Sequence, residues 1–178
     1  MDRGNHYEAA FEEYLRDRRL GYIAVDETRR ASLDEEPVKS LDFIVYGTCG
    51  SRLLVDVKGR KYPMGTAQKP RRVWETWSTR DDVDGLVRWG QRFGTGYRGL
   101  LVFMYEIRPF VRLPDETPDL WEWRDTQYLL RAVPVDEYRQ HMRVRSPKWN
   151  TVALTSADFQ TLVRPFWEFT HNAYSMRR

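Results

Sequence analysis

The sequence predicts a single α/β domain, spanning residues 1 to 178, in which helices flank a mixed sheet. The chain has 178 residues, the size of one domain, and 41% of them are hydrophobic. Successive segments of the chain have apolar residues at the spacing of a helix, then of three strands, then of a second helix and a fourth strand. This αβββαβ order, with a βαβα extension after it, is typical of a sheet covered by helices.

The first half of the chain contains the clearest elements. Asn5 can cap a first helix, with Glu8 as its capping-box partner, and apolar residues recur behind them at helical spacing. Residues 22 to 25 favour β-structure and predict a short strand. Residues 41 to 46 and 52 to 58 alternate on either side of a five-residue loop that contains two glycines. This pattern predicts a β-hairpin.

The second half begins with a predicted helix over residues 81 to 93, which Thr79 can cap and whose first turn is acidic. Residues 100 to 107 are almost continuously apolar, as in a strand that is buried on both faces, so we expect them at the centre of the sheet. Pro165 should kink or end the last helix. The extension alternates strand and helix over residues 127 to 133, 135 to 142, 151 to 154 and 156 to about 164.

Several classes of protein are excluded by composition. The longest purely apolar run, residues 100 to 104, is far shorter than the roughly 20 residues of a membrane span, so no membrane association is expected. A single cysteine, Cys49, cannot form an internal disulfide, which favours the reducing cytoplasm. Zinc-ligand spacing and the P-loop, Rossmann, zincin and hydrolase-elbow motifs are all absent from the sequence.

Positive charge is concentrated in the middle of the chain. Residues 37 to 112 carry 14 basic and 7 acidic side chains, although the net charge of the whole chain is only +3. Residues 58 to 72 hold six basic side chains and no acidic one. Such a segment suits a phosphate-rich partner, and the alternative is an ordinary solvated loop. The candidate phosphate contacts are Arg60, Lys61, Arg71 and Arg72.

The predicted hairpin brings like charges together. With Cys49 at its midpoint, Phe43 faces Val55, and Asp42 then faces Asp56. Opposed carboxylates on neighbouring strands, with Cβ atoms about 5 Å apart, are destabilising unless a positive charge lies between them. Lys58 projects to the same face as Asp56 because side chains alternate with a period of two. We therefore expect Asp42, Asp56 and Lys58 to converge.

This triad has the chemistry needed to hydrolyse a phosphodiester. Two carboxylates can hold Mg²⁺ or Mn²⁺ with waters completing the octahedron, and a neighbouring lysine can orient a nucleophilic water or neutralise a phosphate. Glu8 borders the sheet-facing side of the first helix and can complete the metal site, with Glu12 as the alternate. The competing role for Glu8 is the capping box with Asn5.

The same residues resemble the PD-(D/E)XK nuclease superfamily, whose core is αβββαβ. Its site combines an Asp on the second strand, a (D/E)xK tripeptide on the third and often a Glu from the first helix. The matching residues here are Asp42 and the tripeptide Asp56-Val57-Lys58, while Leu41 replaces the usual proline. The resemblance implies a restriction-endonuclease-like fold, a Mg²⁺ or Mn²⁺ cofactor bound by Asp42, Asp56 and Glu8, and a catalytic Lys58.

The string HYEAAFE, at residues 6 to 12, resembles a family of uncharacterised bacterial proteins named for its HYExAFE signature. That resemblance extends over essentially the whole chain. It implies no activity of its own.

Three functions follow as expectations. The first is a metal-dependent nuclease that acts on nucleic acid; the resemblance implies DNA, and the residues themselves do not distinguish DNA from RNA. The second is a non-catalytic nucleic-acid-binding or scaffold protein that retains the nuclease fold. The third is a phosphohydrolase for a small molecule, which requires a closed pocket instead of an open basic groove. Many nucleases of the resembled kind are homodimers, and no feature of the sequence identifies an interface.

Overall fold

The computed structural model describes residues 6–25, 32–33, 36–37 and 41–171, apart from the side chains of residues 32–33, 36–37 and 49. The helices of this part are α1 (His6–Asp17), α2 (Arg80–Phe93), α3 (Val135–His141), α4 (Ser156–Leu162) and α5 (Phe166–His171). The strands are β1 (Gly21–Ala24), β2 (Ser32–Leu33), β3 (Glu36–Pro37), β4 (Phe43–Tyr46), β5 (Arg52–Tyr62), β6 (Met64–Gly65), β7 (Pro70–Arg71), β8 (Ser78–Thr79), β9 (Tyr97–Ile107), β10 (Leu120–Trp123), β11 (Thr126–Pro134), β12 (Arg143–Ser146), β13 (Thr151–Ala153) and β14 (Arg164–Pro165). No helix in these ranges is both long and apolar enough to cross a bilayer.

The main sheet is mixed, and it confirms the predicted α/β class. Its strands lie in the order β1-β4-β5-β9-β11-β10, with β14 paired to β11. The central pair, β5 and β9, is parallel, and the other pairs are antiparallel. Residues 99 to 105 of β9 are fully buried, as their apolar sequence predicted.

The sheet divides the core into two layers because side chains alternate along each strand. Leu53, Val55 and Val57 of β5 pack with α1 and α5 on one face. Leu54 lies in the core on the other face, which is covered by α2, α3 and α4. Asp56 and Lys58 therefore lie on the α2 face.

Helix α1 lies close against β5. Phe11 contacts Phe43 and Phe166 edge to face, with ring centroids 5.1 and 5.2 Å apart. Tyr7 covers Gly59 so closely that a Cβ atom at residue 59 would lie 2.0 Å from the tyrosine ring. Gly59 is therefore needed for the approach of the helix. The predicted cap, Asn5, lies outside the described residues.

The predicted hairpin has the predicted register. Phe43 pairs with Val55, Ile44 with Leu54, Val45 with Leu53 and Tyr46 with Arg52. Asp42 precedes the ladder, and its amide donates to the carbonyl of Val55 at 2.9 Å. The two aspartates are thus held at one end of the hairpin, as the alternation required.

Strand β5 is longer than the sequence predicted. It continues past Lys58 to Tyr62, because its parallel partner β9 offers a ladder as far as Ile107. Arg60 and Lys61 therefore lie on a strand. The prediction that a loop begins at residue 58 was wrong, because the loop begins only after Tyr62. Only the part after Tyr62 leaves the sheet, and it carries the short β6–β7 ribbon.

The C-terminal extension contains elements that sequence patterns did not predict. Strands β10 and β12 were missed, because neither shows a buried apolar alternation: their residues are partly or fully exposed. Helix α4 ends at Leu162, earlier than predicted, and Pro165 pairs with Arg131 at the sheet edge instead of ending a helix. A further helix, α5, follows.

Candidate active site

The two aspartates of the hairpin meet in the structure. Both side chains are almost completely buried, each residue being 5% exposed. The Oδ2 atom of Asp42 accepts a hydrogen bond of 2.6 Å from the amide of Val57, and the carboxyl groups of Asp42 and Asp56 are themselves hydrogen-bonded. Two carboxyl groups in such contact must share a proton or a cation.

Lys58 lies between two carboxylates. Its Nζ atom is 2.8 Å from Oδ1 of Asp56 and 2.8 Å from Oδ2 of Asp82. Burial would lower the pKa of Lys58, but the charges and hydrogen bonds of the two aspartates outweigh it and raise the pKa above the ordinary value. Lys58 is therefore an ammonium ion at neutral pH.

Asp82 is a site residue that sequence reasoning missed. It is the third residue of α2 and forms a capping box with Thr79: its amide donates to the threonine hydroxyl at 3.1 Å, and its Oδ2 accepts from the amide of Thr79 at 3.2 Å. The hydroxyl of Ser78 donates to the same oxygen at 3.2 Å. The T-x-x-D pattern was visible in the sequence, but the side of the helix that faces Lys58 was not.

The site holds more negative than positive charge. Three buried carboxyl groups, those of Asp42, Asp56 and Asp82, accompany one ammonium group, that of Lys58. Burial is the main cause that raises the pKa of Asp56, and the charge of Asp82 adds to it. The charge of Lys58 and the hydrogen bonds from Lys58 and Asp42 oppose this rise. A divalent cation would offset the excess of negative charge in the site.

Asp42 and Asp56 are the residues that can hold such a cation. Within the described ranges, no group of three His, Cys, Asp or Glu side chains is arranged around one point. Mg²⁺ is usually held by one or two carboxylates with several waters, so two buried aspartates already in contact fit it. This donor set consists of oxygen atoms alone, which suits Mg²⁺ or Mn²⁺ better than softer metals.

The candidate metal ligand on α1 lies on a different side of the sheet from Asp56 and Lys58. Glu8 is partly buried in the first turn of α1, which covers the sheet face opposite to Asp56 and Lys58. Its role as a metal ligand stays a prediction. The alternate, Glu12, forms an ion pair with Arg16 at 2.8 Å and accepts a hydrogen bond of 2.8 Å from the hydroxyl of Tyr22.

The four candidate phosphate contacts fall into two groups. Lys61, Arg71 and Arg72 are exposed. Arg60 is partly buried: its guanidinium lies 3.9 Å from the ring centroid of Trp77 and donates to the carbonyl oxygens of Trp77 and Gly59. Burial lowers the pKa of Arg60. The structure therefore presents three of these side chains to solvent and holds the fourth against Trp77.

Comparison with known proteins supports the fold. No family model matches the chain, and no curated protein is similar to it in sequence, so the resemblance to the HYExAFE family is not confirmed. Among solved structures, the chain is similar to Hjc, a Holliday junction resolvase from the archaeal hyperthermophile Archaeoglobus fulgidus. The TM-score is 0.50 at 13% sequence identity, over 89% of this chain and 93% of that chain. The mixed sheet with its flanking helices is a restriction-endonuclease-like fold.

The capping and ion-pair roles of Asp82 predict a cost for its removal. The substitution Asp82→Ala should lower the free energy of unfolding by about 1 to 3 kcal/mol, because it removes a helix cap and one partner of a buried ammonium. Urea unfolding followed by circular dichroism measures this. Asp136→Ala, at an exposed position in the first turn of α3, is the matched control and should change stability by less than about 0.5 kcal/mol. Equal effects of the two substitutions would contradict the role of Asp82.

The raised pKa of Asp56 predicts a pH-dependent penalty in the absence of metal. Because the folded-state pKa lies above the unfolded value, the stabilising contribution is present below about pH 4 and is lost as pH rises through the folded pKa. Asp56→Asn removes this titration, so its stability relative to that of the wild type should rise as pH rises from 4 to 7.

Thermal unfolding in EDTA and in Mg²⁺ checks this prediction. Mg²⁺ should raise the Tm of the wild type and leave that of Asp56→Asn unchanged. A stability difference between the two proteins that does not change from pH 4 to pH 7 in EDTA, or equal responses to Mg²⁺, would show that Asp56 carries no such penalty and binds no ion.

Proposed function

We propose that this protein is a metal-dependent nuclease that hydrolyses phosphodiester bonds in DNA. The observation that carries the proposal is the convergence of Asp42, Asp56 and Lys58 in one buried cluster at the end of the hairpin. Their residue types are those that phosphodiester hydrolysis requires, and the fold is shared with a Holliday junction resolvase.

In the proposed reaction, Asp42 and Asp56 hold Mg²⁺ or Mn²⁺, with Glu8 as a further candidate ligand. When bound, the ion would supply Lewis-acid stabilisation of the charge that develops on the phosphate. The hydrogen bond from the amide of Val57 fixes one oxygen of Asp42. This contact holds the carboxylate in place before any substrate arrives.

Lys58 acts as a fixed positive charge and hydrogen-bond donor, not as a base. Its raised pKa keeps the proton on Nζ, and two of the three N–H donors of an ammonium group point to Asp56 and Asp82. The third can donate to the attacking water or to a phosphate oxygen. Asp82 orients Lys58 and is in this sense a positioning residue.

The exposed basic surface beyond β5 supports a nucleic-acid substrate, and the fold shared with a Holliday junction resolvase favours DNA. Lys61, Arg71 and Arg72 project from the end of the strand that carries Lys58 and from the ribbon that follows it. Arg71 and Arg72 can hold backbone phosphates and so place a scissile bond at the aspartates. Lys61 points to the face of β5 opposite to Lys58, so its phosphate contact would lie farther from the cleaved bond. The similar solved structure is that of a Holliday junction resolvase, so branched DNA is the first substrate to test. A homodimer is compatible with this proposal.

A cleavage assay with a matched control tests the proposal. Wild-type protein is incubated with linear duplex, four-way junction and RNA substrates in Mg²⁺, Mn²⁺ or EDTA. Asp56→Asn should reduce the cleavage rate at least about 100-fold, since it removes a charge on which transition-state stabilisation depends. Asp136→Asn, on the exposed side of α3, should cleave like the wild type.

Each outcome decides between the candidate functions. Cleavage that is equal in the wild type and Asp56→Asn would overturn the proposed site. Salt-sensitive DNA binding by the wild type without cleavage in any metal would favour the non-catalytic binding protein instead.

A further inference from the structure

A second basic surface lies next to the candidate active site. Strands β12 and β13 form a hairpin, defined here by residues 143 to 153 and called the basic hairpin. Strand β13 pairs with β8, so that Thr151 faces Thr79 and Val152 faces Ser78. Because Ser78 and Thr79 contact Asp82, the base of the basic hairpin is attached to the segment that positions Lys58.

The turn of the basic hairpin presents an exposed tryptophan. Trp149 is 68% exposed, more than any other large hydrophobic side chain in the described ranges, and Val144 on the same hairpin is 61% exposed. The turn is held by a hydrogen bond of 3.2 Å from the amide of Asn150 to the carbonyl of Pro147. Asn150 has a φ of 46°, a left-handed conformation that asparagine tolerates well. The indole is therefore presented on a short turn with its own backbone hydrogen bond.

Basic side chains predominate around this tryptophan, and an acidic contact of the turn comes from Asp81 of α2, which accepts a hydrogen bond of 3.2 Å from the side chain of Asn150. Residues 138 to 157 contain four basic side chains and no acidic one. Lys148 lies over the Trp149 ring, with Nζ 5.3 Å from the centroid. The guanidinium of Arg145 lies 5.2 Å from the ring of Trp77, the same ring that Arg60 contacts at 3.9 Å. Basic and aromatic groups therefore continue from β5 to the basic hairpin.

We propose that the basic hairpin is a DNA contact in which Trp149 stacks on an unpaired base. Arg145 and Lys148 contact the phosphates on either side of that base. This inference rests on the proposed function, and it adds that the preferred DNA has unpaired or splayed bases near the cleavage site. Stacking on an exposed indole needs a free base face, which a continuous duplex offers only at its ends.

The charge of the hairpin favours DNA over a second copy of the chain. Trp149 and Val144 are two exposed apolar side chains, whereas a stable protein interface covers about 800 Å² on each partner. The remaining exposed side chains of the two strands and the turn include Arg143, Arg145 and Lys148. A surface of this kind repels its own copy and attracts a polyanion.

The test measures DNA binding by fluorescence anisotropy in EDTA, where cleavage cannot interfere. The probes are a blunt duplex and a fork with two single-stranded arms. Trp149→Ala should weaken fork binding about 10-fold and duplex binding less than about 3-fold, and Trp149→Phe should retain most of the affinity. Arg145→Ala and Lys148→Ala should each reduce the slope of log Kd against log salt by about one on both probes.

Trp167→Ala is the matched control, because Trp167 is an exposed tryptophan (37%) on α5, which covers the other face of the sheet. It should bind both probes like the wild type. Thermal unfolding of each variant checks that the exposed substitutions leave the fold intact.

The outcomes separate this inference from the nuclease proposal. Equal fork binding by the wild type and Trp149→Ala would overturn the role of the hairpin, while the cleavage assay decides the nuclease proposal independently. A wild type that binds neither probe would overturn the inference as well. A change from dimer to monomer in Trp149→Ala, measured by light scattering, with unchanged DNA affinity, would show that the hairpin contacts a second copy instead.

Discussion

The ammonium group of Lys58, held between Asp56 and Asp82, is the interaction on which the rest of the site depends. Asp56 and Lys58 belong to a central strand, and Asp82 belongs to the first turn of α2. The two ion pairs therefore join the sheet to a helix at a buried point. A buried ion pair does not by itself stabilise a fold, because desolvation offsets the attraction. What it supplies here is a fixed position for one positive charge among three carboxyl groups.

The same arrangement explains why stability and proposed function oppose each other at this point. The neighbouring positions are apolar: Leu54 and Val83 belong to the core on the same face of the sheet, and Leu101 pairs with Asp56 across the ladder. The protein instead buries carboxyl groups whose repulsion is relieved only by Lys58, a proton or a cation. Such a cluster is expected where charge has a chemical use, since buried ionisable groups with shifted pKa values concentrate at functional sites. In the proposed function, the basic surfaces beyond β5 and on the basic hairpin hold a nucleic-acid backbone near this cluster.

The sequence allowed the hairpin and its register to be predicted, because alternation with a period of two fixes which residues face each other once the loop is located. The meeting of Asp42, Asp56 and Lys58 follows from that register alone. Asp82 could not be found in this way, since its contact with Lys58 depends on how α2 is rotated and seated on the sheet. The length of β5 was underestimated for a similar reason: Arg60 and Lys61 look like loop residues until their parallel partner β9 is known. The HYEAAFE string also has a structural explanation, because Tyr7 lies against Gly59 while Ala10 and Phe11 are buried in the core.

Anomalous scattering from a crystal grown or soaked with Mn²⁺ tests the central claim most directly. The account predicts a peak between the carboxylates of Asp42 and Asp56, with oxygen ligands at about 2 Å and Lys58 still bound to Asp82. Absence of the peak in Asp42→Asn crystals would identify the carboxylate that holds the ion. A wild-type structure with Mn²⁺ bound elsewhere, or with the two aspartates turned away from each other, would contradict the account.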